Sequence, residues 1–208
     1  MTTQALRQAL DFGARPDPAL GIFETMRVQD GVLPMRDAHY ARISASAREL
    51  YGVEIPIPIG PRPRRYWTGR TRLTFVPGEG LSAEPGALAA DPVYTSIAPF
   101  VLPGGLGPHK WVDRSLVDAL TREAGERVLP LLVDSDGAVL EATWANVLIE
   151  ERGRLISPPD DGRSLPGIGR LRLDYAEEPI DLDRLLAADA VVLTSALRVL
   201  RLPAQGIS

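Results

Sequence analysis

Pro103-Gly104-Gly105-Leu106-Gly107-Pro108-His109-Lys110-Trp111-Val112-Asp113-Arg114 sets how this chain divides and where its chemistry lies. The first half belongs to a dense run of turn-formers, Pro99 to Pro108, in which glycine and proline favour an irregular connection over helix or strand. That composition predicts a linker over residues 99–108, with one domain before it (1–98) and another after it (109–208). The second half holds Lys110. Of 23 lysines and arginines, Lys110 is the single lysine, leaving 22 arginines. Arginine serves salt bridges, surface charge and phosphate contacts as well as lysine does. What lysine alone offers is an amine that can lose its proton near neutral pH and add to a carbonyl. A lysine placed directly after an interdomain linker also suits a ligand cleft. Composition alone is equally compatible with a chance survivor on a solvated surface.

Composition narrows the function classes. With 208 residues, 45% of them hydrophobic and 24% charged, the chain reads as a soluble globular protein of one large or two small domains. A net charge of −4 gives no electrostatic reason to expect nucleic acid or an anionic membrane as partner. The cluster Arg62, Arg64 and Arg65 lies in a proline-rich stretch. The absence of cysteine excludes disulfides, thiolate metal sites and cysteine nucleophiles, and two histidines, His39 and His109, are too few for a histidine-rich metal centre. No metal is expected. Met1 to Phe12 lacks a basic flank before an apolar core, and no later run reaches ~18 apolar residues, so the cytoplasm is the expected compartment.

Along the chain, Leu20 to Val28 reads as a part-buried strand, Asp30-Gly31 as a hairpin turn, and Val32 to Met35 as the returning strand. Asp37 is placed to cap a helix from Ala38 to Tyr51 ended by Gly52, with Tyr40, Ile43, Ala47 and Leu50 on its apolar face and Arg42 and Arg48 opposite. Prolines from Ile55 to Pro63 predict an irregular excursion. Short strands follow at Arg72–Val76 and Val93–Ile97. After the linker, Asp113 or Ser115 opens a helix through Ala124. Strand pairs Val128–Val133 with Ala138–Ala142, and Ala145–Ile149 with Arg154–Ile156, flank the turns at Asp136-Gly137 and Arg152-Gly153. A helix at Ile168–Tyr175, another at Leu182–Ala188 capped by Asp181 or Asp183, and a buried strand Ala190–Thr194 complete the chain. Hairpins plus helices, rather than alternating βαβ units, make the fold class α+β.

Several residues beside Lys110 suit one cofactor, pyridoxal 5′-phosphate (PLP), which needs an amine for its aldehyde, a carboxylate for its ring nitrogen and donors for its phosphate. Glu141 ends the apolar run Ala138-Val139-Leu140, on the opposite face from Leu140 by alternation. Alone, it reads equally as a solvated strand-end carboxylate. Leu165-Pro166-Gly167-Ile168-Gly169 has the chemistry of an anion nest at a helix N-terminus, though a Pro-Gly turn before a helix is common. Thr194-Ser195 at a strand end could add hydroxyl donors. Arg42, one turn after His39, could neutralise the phosphate, or be a surface arginine.

Taken in order, these segments resemble the class IV PLP enzymes, which include branched-chain and D-amino-acid aminotransferases and 4-amino-4-deoxychorismate lyases. The resemblance runs from about Leu20 to Leu202. Gly21-Ile22-Phe23-Glu24-Thr25-Met26-Arg27-Val28 is similar to the family's first strand, and Asp37-Ala38-His39-Tyr40-Ala41-Arg42-Ile43 to its Asp-x-His-x-x-Arg-Leu helix. Lys110 stands where the family's cofactor lysine stands. Glu141-Ala142-Thr143-Trp144-Ala145-Asn146 resembles its Glu-Gly-x-x-x-Asn segment, and Leu165-Pro166-Gly167-Ile168 its phosphate loop. Within the family, Gly-Ile-Phe-Glu-Thr-Met-Arg and His-Lys-Trp-x-Asp-Arg look most like the lyases. There is no clear Arg-x-His trap of the D-amino-acid enzymes, nor the Lys-x-x-x-Asn-Tyr of the branched-chain enzymes. Three departures stand out: Gly169 where threonine or valine is usual, Ala196 after Thr194-Ser195, and the bulky Trp144.

The resemblance implies a small N-terminal α/β domain and a larger C-terminal α+β pseudo-barrel domain, with PLP in the cleft between them. It implies a cofactor set of Arg42, Lys110, Glu141, Asn146, Gly167, Ile168, Gly169, Thr194 and Ser195. Lys110 is the catalytic base, a small amine is the substrate, and a homodimer is the working unit. The implied activity is 4-amino-4-deoxychorismate lyase, yielding 4-aminobenzoate and pyruvate for folate biosynthesis. A class IV aminotransferase for branched-chain or D-amino acids is the alternative. A non-catalytic cofactor-binding homologue and a structural domain without cofactor are the remaining readings.

Overall fold

The computed structural model describes residues 7–8, 15–56 and 66–203. The arginine cluster at Arg62, Arg64 and Arg65 and most of the proline-rich excursion lie outside them. In chain order the strands and helices are β1 (Arg7–Gln8), β2 (Ile22–Val28), α1 (Arg36–Tyr51), β3 (Gly69–Val76), β4 (Gly80–Gly86), β5 (Ser96–Val101) and α2 (Ser115–Ala124). There follow β6 (Val128–Val133), β7 (Val139–Ala142), β8 (Asn146–Glu151), β9 (Arg154–Ser157), β10 (Ala176–Glu177), α3 (Leu182–Ala187), β11 (Ala190–Thr194) and β12 (Val199–Pro203). The class is α+β, as the sequence predicts.

The chain forms two compact units, one of residues 16–90 with 109–113, the other of 1–15, 91–108 and 114–208. The expected division into 1–98, a linker at 99–108, and 109–208 is corrected by this. Residues 99–108 are not a linker. Phe100 and Leu102 are fully buried, β5 runs parallel to β6 in full register, and the Leu102 N–H donates to the Val133 carbonyl at 2.9 Å. The glycines there serve close packing. Gly105 has a φ of 62° and lies so near the Arg163 carbonyl that an added Cβ would come within 2.0 Å of it. Lys110, assigned from sequence to the C-terminal domain, belongs instead with the first unit.

That first unit is an antiparallel sheet in the order β2-β3-β4, with α1 packed on one face. Alternation along β2 buries Val28 and sends Ile22 and Met26 into a core shared with Tyr40, Ile43 and Ala47 of α1 and Leu73 and Phe75 of β3. The predicted return strand at Val32–Met35 reduces to a single bridge, Gln29 with Val32, and β2 pairs with β3 instead. Helix α1 starts at Arg36 with Met35 as its cap residue, so Asp37 sits in the first turn, where its charge suits the helix dipole. Gly52 ends it in the left-handed conformation, as expected.

In the second unit, nine strands form a mixed sheet with the main order β1-β5-β6-β7-β8-β11-β12, and β9 and β10 continue from β8. One apolar cluster joins Leu129, Leu131, Val147, Ile149, Val191 and Leu193 with Leu185 of α3. Another packs Leu116 and Leu120 of α2 on Phe100, Leu132 and Leu140. Asp181 caps α3, accepting from the Arg184 N–H at 2.7 Å. The predicted helix at Ile168–Tyr175 is a shorter 3-10 turn, Ile168–Arg172. Among the described residues no helix is long and apolar enough to cross a membrane.

Candidate active site

Lys110 lies on a short extended segment laid along the start of β2. The Phe23 N–H donates to the Lys110 carbonyl at 2.8 Å, the Val112 N–H donates to the Gly21 carbonyl at 3.0 Å, and Trp111 bridges Ile22. Period-two alternation then separates the side chains. Trp111 packs into the core under α1, and His109 meets its ring edge-on with centroids 5.2 Å apart. His109 Nδ1 is 3.0 Å from Ser46 Oγ of α1. Burial pushes the His109 imidazole below its usual pKa range, against the pull of Glu49. Lys110 takes the other direction, its Nζ 4.8 Å from the centroid of the Phe23 ring. Asp113 fixes the far end by accepting from the Asp17 N–H at 2.9 Å. The segment is held at both ends while the amine stays on the Phe23 side.

Arg42 sits in a charged group that the sequence does not announce. Its Nε and Nη2 donate to the two carboxylate oxygens of Glu24 at 2.6 and 2.8 Å, and His39 Nδ1 lies 2.7 Å from Glu24 Oε2. The carboxylate can only accept, so His39 carries its proton on Nδ1. Burial alone would raise the Glu24 pKa. The hydrogen bonds from His39 and Arg42, with their charges, outweigh that and hold it at about 2. Arg42 therefore does not lie on an open polar face of α1. Its side chain is only 12% exposed, while Arg48 on that face is open to solvent and pairs with Glu54. The available signal was Glu24 itself, a carboxylate in the alternating set Ile22, Glu24, Met26, Val28 that faces the core, with His39 and Arg42 three apart on the helix above.

In the second unit, register brings the remaining predicted residues together. Glu141 of β7 pairs with Asn146 of β8, and Asn146 pairs with Thr194 of β11. Cross-strand partners share a face, so these three side chains form a row two strand spacings wide, about 10 Å. All three are buried, and the neighbouring Val147 and Leu193 turn the other way into the apolar cluster. Asn146 Nδ2 donates to the Leu165 carbonyl at 2.8 Å and so ties the loop 165–169 to the row. Glycine is required at both loop positions. A Cβ on Gly167 would fall 1.4 Å from Asn146 Oδ1, and one on Gly169 would come 2.6 Å from Thr194 Oγ1 and 2.5 Å from the Ser195 carbonyl. The departure at Gly169 thus has a steric cause. Ser195 Oγ accepts from the Leu197 N–H at 3.3 Å and shapes the turn after β11.

Thr194 Oγ1 is fully buried and has no hydrogen-bond partner among the described residues. An orphaned hydroxyl beside a glycine-lined 3-10 turn, whose first N–H groups point away from the turn, fits a phosphate. A buried carboxylate in the same row fits a protonated ring nitrogen. The residues of this unit therefore suit PLP. Arg170, which sequence reading passed over, anchors the turn from beneath: it is 4% exposed and donates to Ser157 Oγ at 2.9 Å. A separate groove of about 660 Å3 along α2, walled in part by Arg114, Thr121 and Trp144, contains none of the predicted site residues.

A family model described as amino-transferase class IV matches residues 103–202. No curated protein is significantly similar to the chain in sequence. Among solved structures, a candidate 4-amino-4-deoxychorismate lyase from Legionella pneumophila is 22% identical, with a TM-score of 0.73 over 92% of this chain and 85% of that one. A hypothetical aminotransferase from Mycobacterium tuberculosis in its PLP-bound form is 21% identical, with a TM-score of 0.72 over 95% and 85% of the two chains. These two likenesses show the fold. A candidate amino-acid aminotransferase from Mesorhizobium loti is 28% identical, with a TM-score of 0.70 over 90% of this chain and 98% of that one.

Proposed function

We propose that the chain is a PLP enzyme of the class IV aminotransferase family acting as 4-amino-4-deoxychorismate lyase, a reading supported by the match of residues 103–202 to that family's model. The observation that carries the cofactor reading is the buried row of Glu141, Asn146 and Thr194, closed by a loop that admits only glycine at 167 and 169. Lys110 would hold the cofactor through Nζ. Glu141 pairs with the ring nitrogen. Thr194, the N–H groups of Ile168 and Gly169, and Arg42 as steadied by Glu24 receive the phosphate, while Ser195 and Asn146 hold the surrounding turns in shape.

When bound, PLP supplies an electron sink for the pair released at the carbon that bears the substrate amine. Lys110 Nζ would be the base that takes the proton from this carbon. The enolpyruvyl group then leaves and is protonated to pyruvate, and the ring becomes aromatic as 4-aminobenzoate. The two products account for every atom of the substrate, so no acceptor is consumed. The Gly21–Val28 and His109–Arg114 sequences favour this reading. An aminotransferase is the second reading, favoured by the 28% identity to the Mesorhizobium loti protein. It would use the same residues but would need a keto-acid acceptor.

Two experiments test this. Borohydride treatment of PLP-loaded protein should add cofactor mass to the peptide containing His109-Lys110-Trp111. Lys110→Arg should abolish that label and lower turnover by orders of magnitude while the fold persists. Label elsewhere, or none on the wild type, refutes the cofactor assignment. Pyruvate release from aminodeoxychorismate without any keto acid supports the lyase, whereas strict dependence on a keto acid selects the aminotransferase. We further infer a homodimer, because a 22.5 kDa chain is small to enclose a cofactor alone. Sedimentation of the PLP-loaded protein as a monomer at micromolar concentration would refute it.

A further inference from the structure

Residues 158–167, which connect β9 to the 3-10 turn at Ile168, form no helix or strand, so no backbone ladder fixes where that turn begins. Side-chain bonds do that instead, and Arg163 makes several of them. Its Nε and Nη2 meet Asp161 Oδ2 at 2.8 and 2.6 Å, and its Nη1 donates to Asp134 Oδ2 at 2.9 Å and to Asp136 Oδ2 at 3.1 Å. Its own carbonyl accepts from the Gly107 N–H at 3.1 Å, and Asp134 Oδ1 accepts from the Gly104 N–H at 3.0 Å. One residue thereby joins the segment 104–107, the hairpin turn between β6 and β7, and the segment that enters the loop 165–169.

Two of these segments lead into the row of buried polar residues. The hairpin continues as β7, which carries Glu141. Leu165, two residues after Arg163, has its carbonyl held by Asn146 Nδ2 at 2.8 Å, and Gly167 and Gly169 then close on Asn146 and Thr194 with no space for a Cβ. Asn146 fixes the loop at the row, and Arg163 fixes it two residues earlier to the hairpin that carries Glu141. A loop packed this closely tolerates little displacement. The group itself is one cation among three carboxylates. Hydrogen bonds from Arg163 hold Asp134 and Asp161 below the usual carboxylate range, and those carboxylates raise the Arg163 pKa in turn. Without the guanidinium, three like charges would face one another and push hairpin and loop apart. Arg184 of α3 is a matched case: its side chain is 29% exposed against 28% for Arg163, and it bonds Glu151 and Glu178 at distances from 2.7 to 3.0 Å. The segments it joins are the far end of β8 and the approach to α3.

We propose that Arg163 is a positioning residue of the cofactor site. By holding residues 161–165 to the β6–β7 hairpin it sets the loop 165–169 against Glu141, Asn146 and Thr194, without itself touching the phosphate. Only the identity of the ligand that the loop receives rests on the PLP reading. Arg163 therefore acts through geometry and not through charge. Three carboxylates already offset its charge, so removing one of them harms the site rather than helping it.

The test compares the PLP affinity of each variant, by equilibrium dialysis of the PLP-loaded protein, with its melting midpoint. Arg163→Gln should weaken PLP by about tenfold or more, the scale on which a misplaced binding group is felt. Arg163→Lys, which keeps the charge but not the planar fork, should recover part of that loss. Arg184→Gln should lower the midpoint as well, yet bind PLP within twofold of wild type. Asp134→Asn separates geometry from charge: weaker PLP binding is expected, whereas a cation acting directly on the phosphate would bind it more tightly once a carboxylate is removed. Equal PLP affinity in Arg163→Gln and wild type, tighter binding in Asp134→Asn, or an equal loss of affinity in Arg184→Gln overturns the proposal. Should Arg163→Gln not fold, Arg163→Lys and Asp134→Asn decide by the same criteria. Inorganic phosphate is the second probe. If the wild type takes up no PLP yet binds phosphate, and Arg163→Gln weakens that binding, the cofactor reading fails and the positioning role stands. A wild type that binds neither overturns both.

Discussion

Beneath α1 the carboxylate of Glu24 is buried with both His39 and Arg42 bonded to it, whereas at the end of β11 the equally buried hydroxyl of Thr194 has no partner among the described residues. In the first group the carboxylate is satisfied within the chain: two donors meet one acceptor, and the charges offset the expense of leaving water. The second is complete only when something else arrives. An unsatisfied buried polar group costs about 1–3 kcal/mol, a strain that a fold retains where a ligand relieves it.

Breaking the complete group should have the largest effect on stability. Glu24→Gln keeps the shape but leaves Arg42 and His39 facing an amide, and loss of one member of a buried pair costs about 3–5 kcal/mol. The lower end is expected, since Arg42 keeps some contact with water. Urea unfolding would register this, and an unchanged midpoint would mean the group contributes nothing. Acid gives an independent reading. The folded Glu24 pKa of about 2 lies below its ordinary 4.5. Its contribution is therefore whole above 4.5 and is lost as pH falls towards 2. The wild type should lose stability across that window, and Glu24→Gln should lack that component. Cofactor affinity should fall along with stability in Arg42→Ala, because the substitution strands Glu24 as well as the phosphate.

Next in size is Gly169→Ala. The new Cβ would meet the Ser195 carbonyl at 2.5 Å, backbone that cannot swing aside, so about 1–3 kcal/mol of strain is expected. It also intrudes beside Thr194 Oγ1, so PLP affinity should drop by about tenfold or more, by the same conversion. A variant that melts and binds PLP like the wild type would show that the loop has room to spare, and the close-packed cradle would be wrong.

How much of this was legible in the sequence follows from what kind of signal each feature leaves. Helix α1 with its terminal Gly52, and β6 at Val128–Val133, were readable because apolar periodicity and end signals coincide there. Strand β4, Gly80-Leu81-Ser82-Ala83-Glu84-Pro85-Gly86, was not, since an edge strand with a proline and exposed residues lacks any alternating pattern. Residues 99–108 misled because Gly and Pro report backbone conformation, not whether the loop is packed, and Gly105 is packed against Arg163. The lone lysine and Glu141 stood out by residue type. Their partners did not. Glu24 with Arg42, Asn146 with the Leu165 carbonyl, and the row from Glu141 to Thr194 arise from strand register and helix docking between distant segments.

The smallest effect is also the one whose sign separates the two kinds of buried group. Thr194→Val replaces a hydroxyl with a methyl of nearly the same size. Were the hydroxyl satisfied within the protein, this change would destabilise the fold, as any loss of a made hydrogen bond does. Since Oγ1 has no partner among the described residues, the substitution instead removes an uncompensated polar atom from a fully buried position. The cofactor-free protein should then be unchanged or more stable, by up to about 1 kcal/mol, because an apolar group of the same shape in place of an unsatisfied one is neutral or favourable. PLP affinity should move the other way, weakening by about fivefold to tenfold as one phosphate contact is lost. Thermal melts with and without PLP measure both at once: the apo midpoint holds or rises while the PLP-induced shift shrinks. A fall in the apo midpoint would mean that Thr194 is bonded within the protein, and the contrast with Glu24 would collapse.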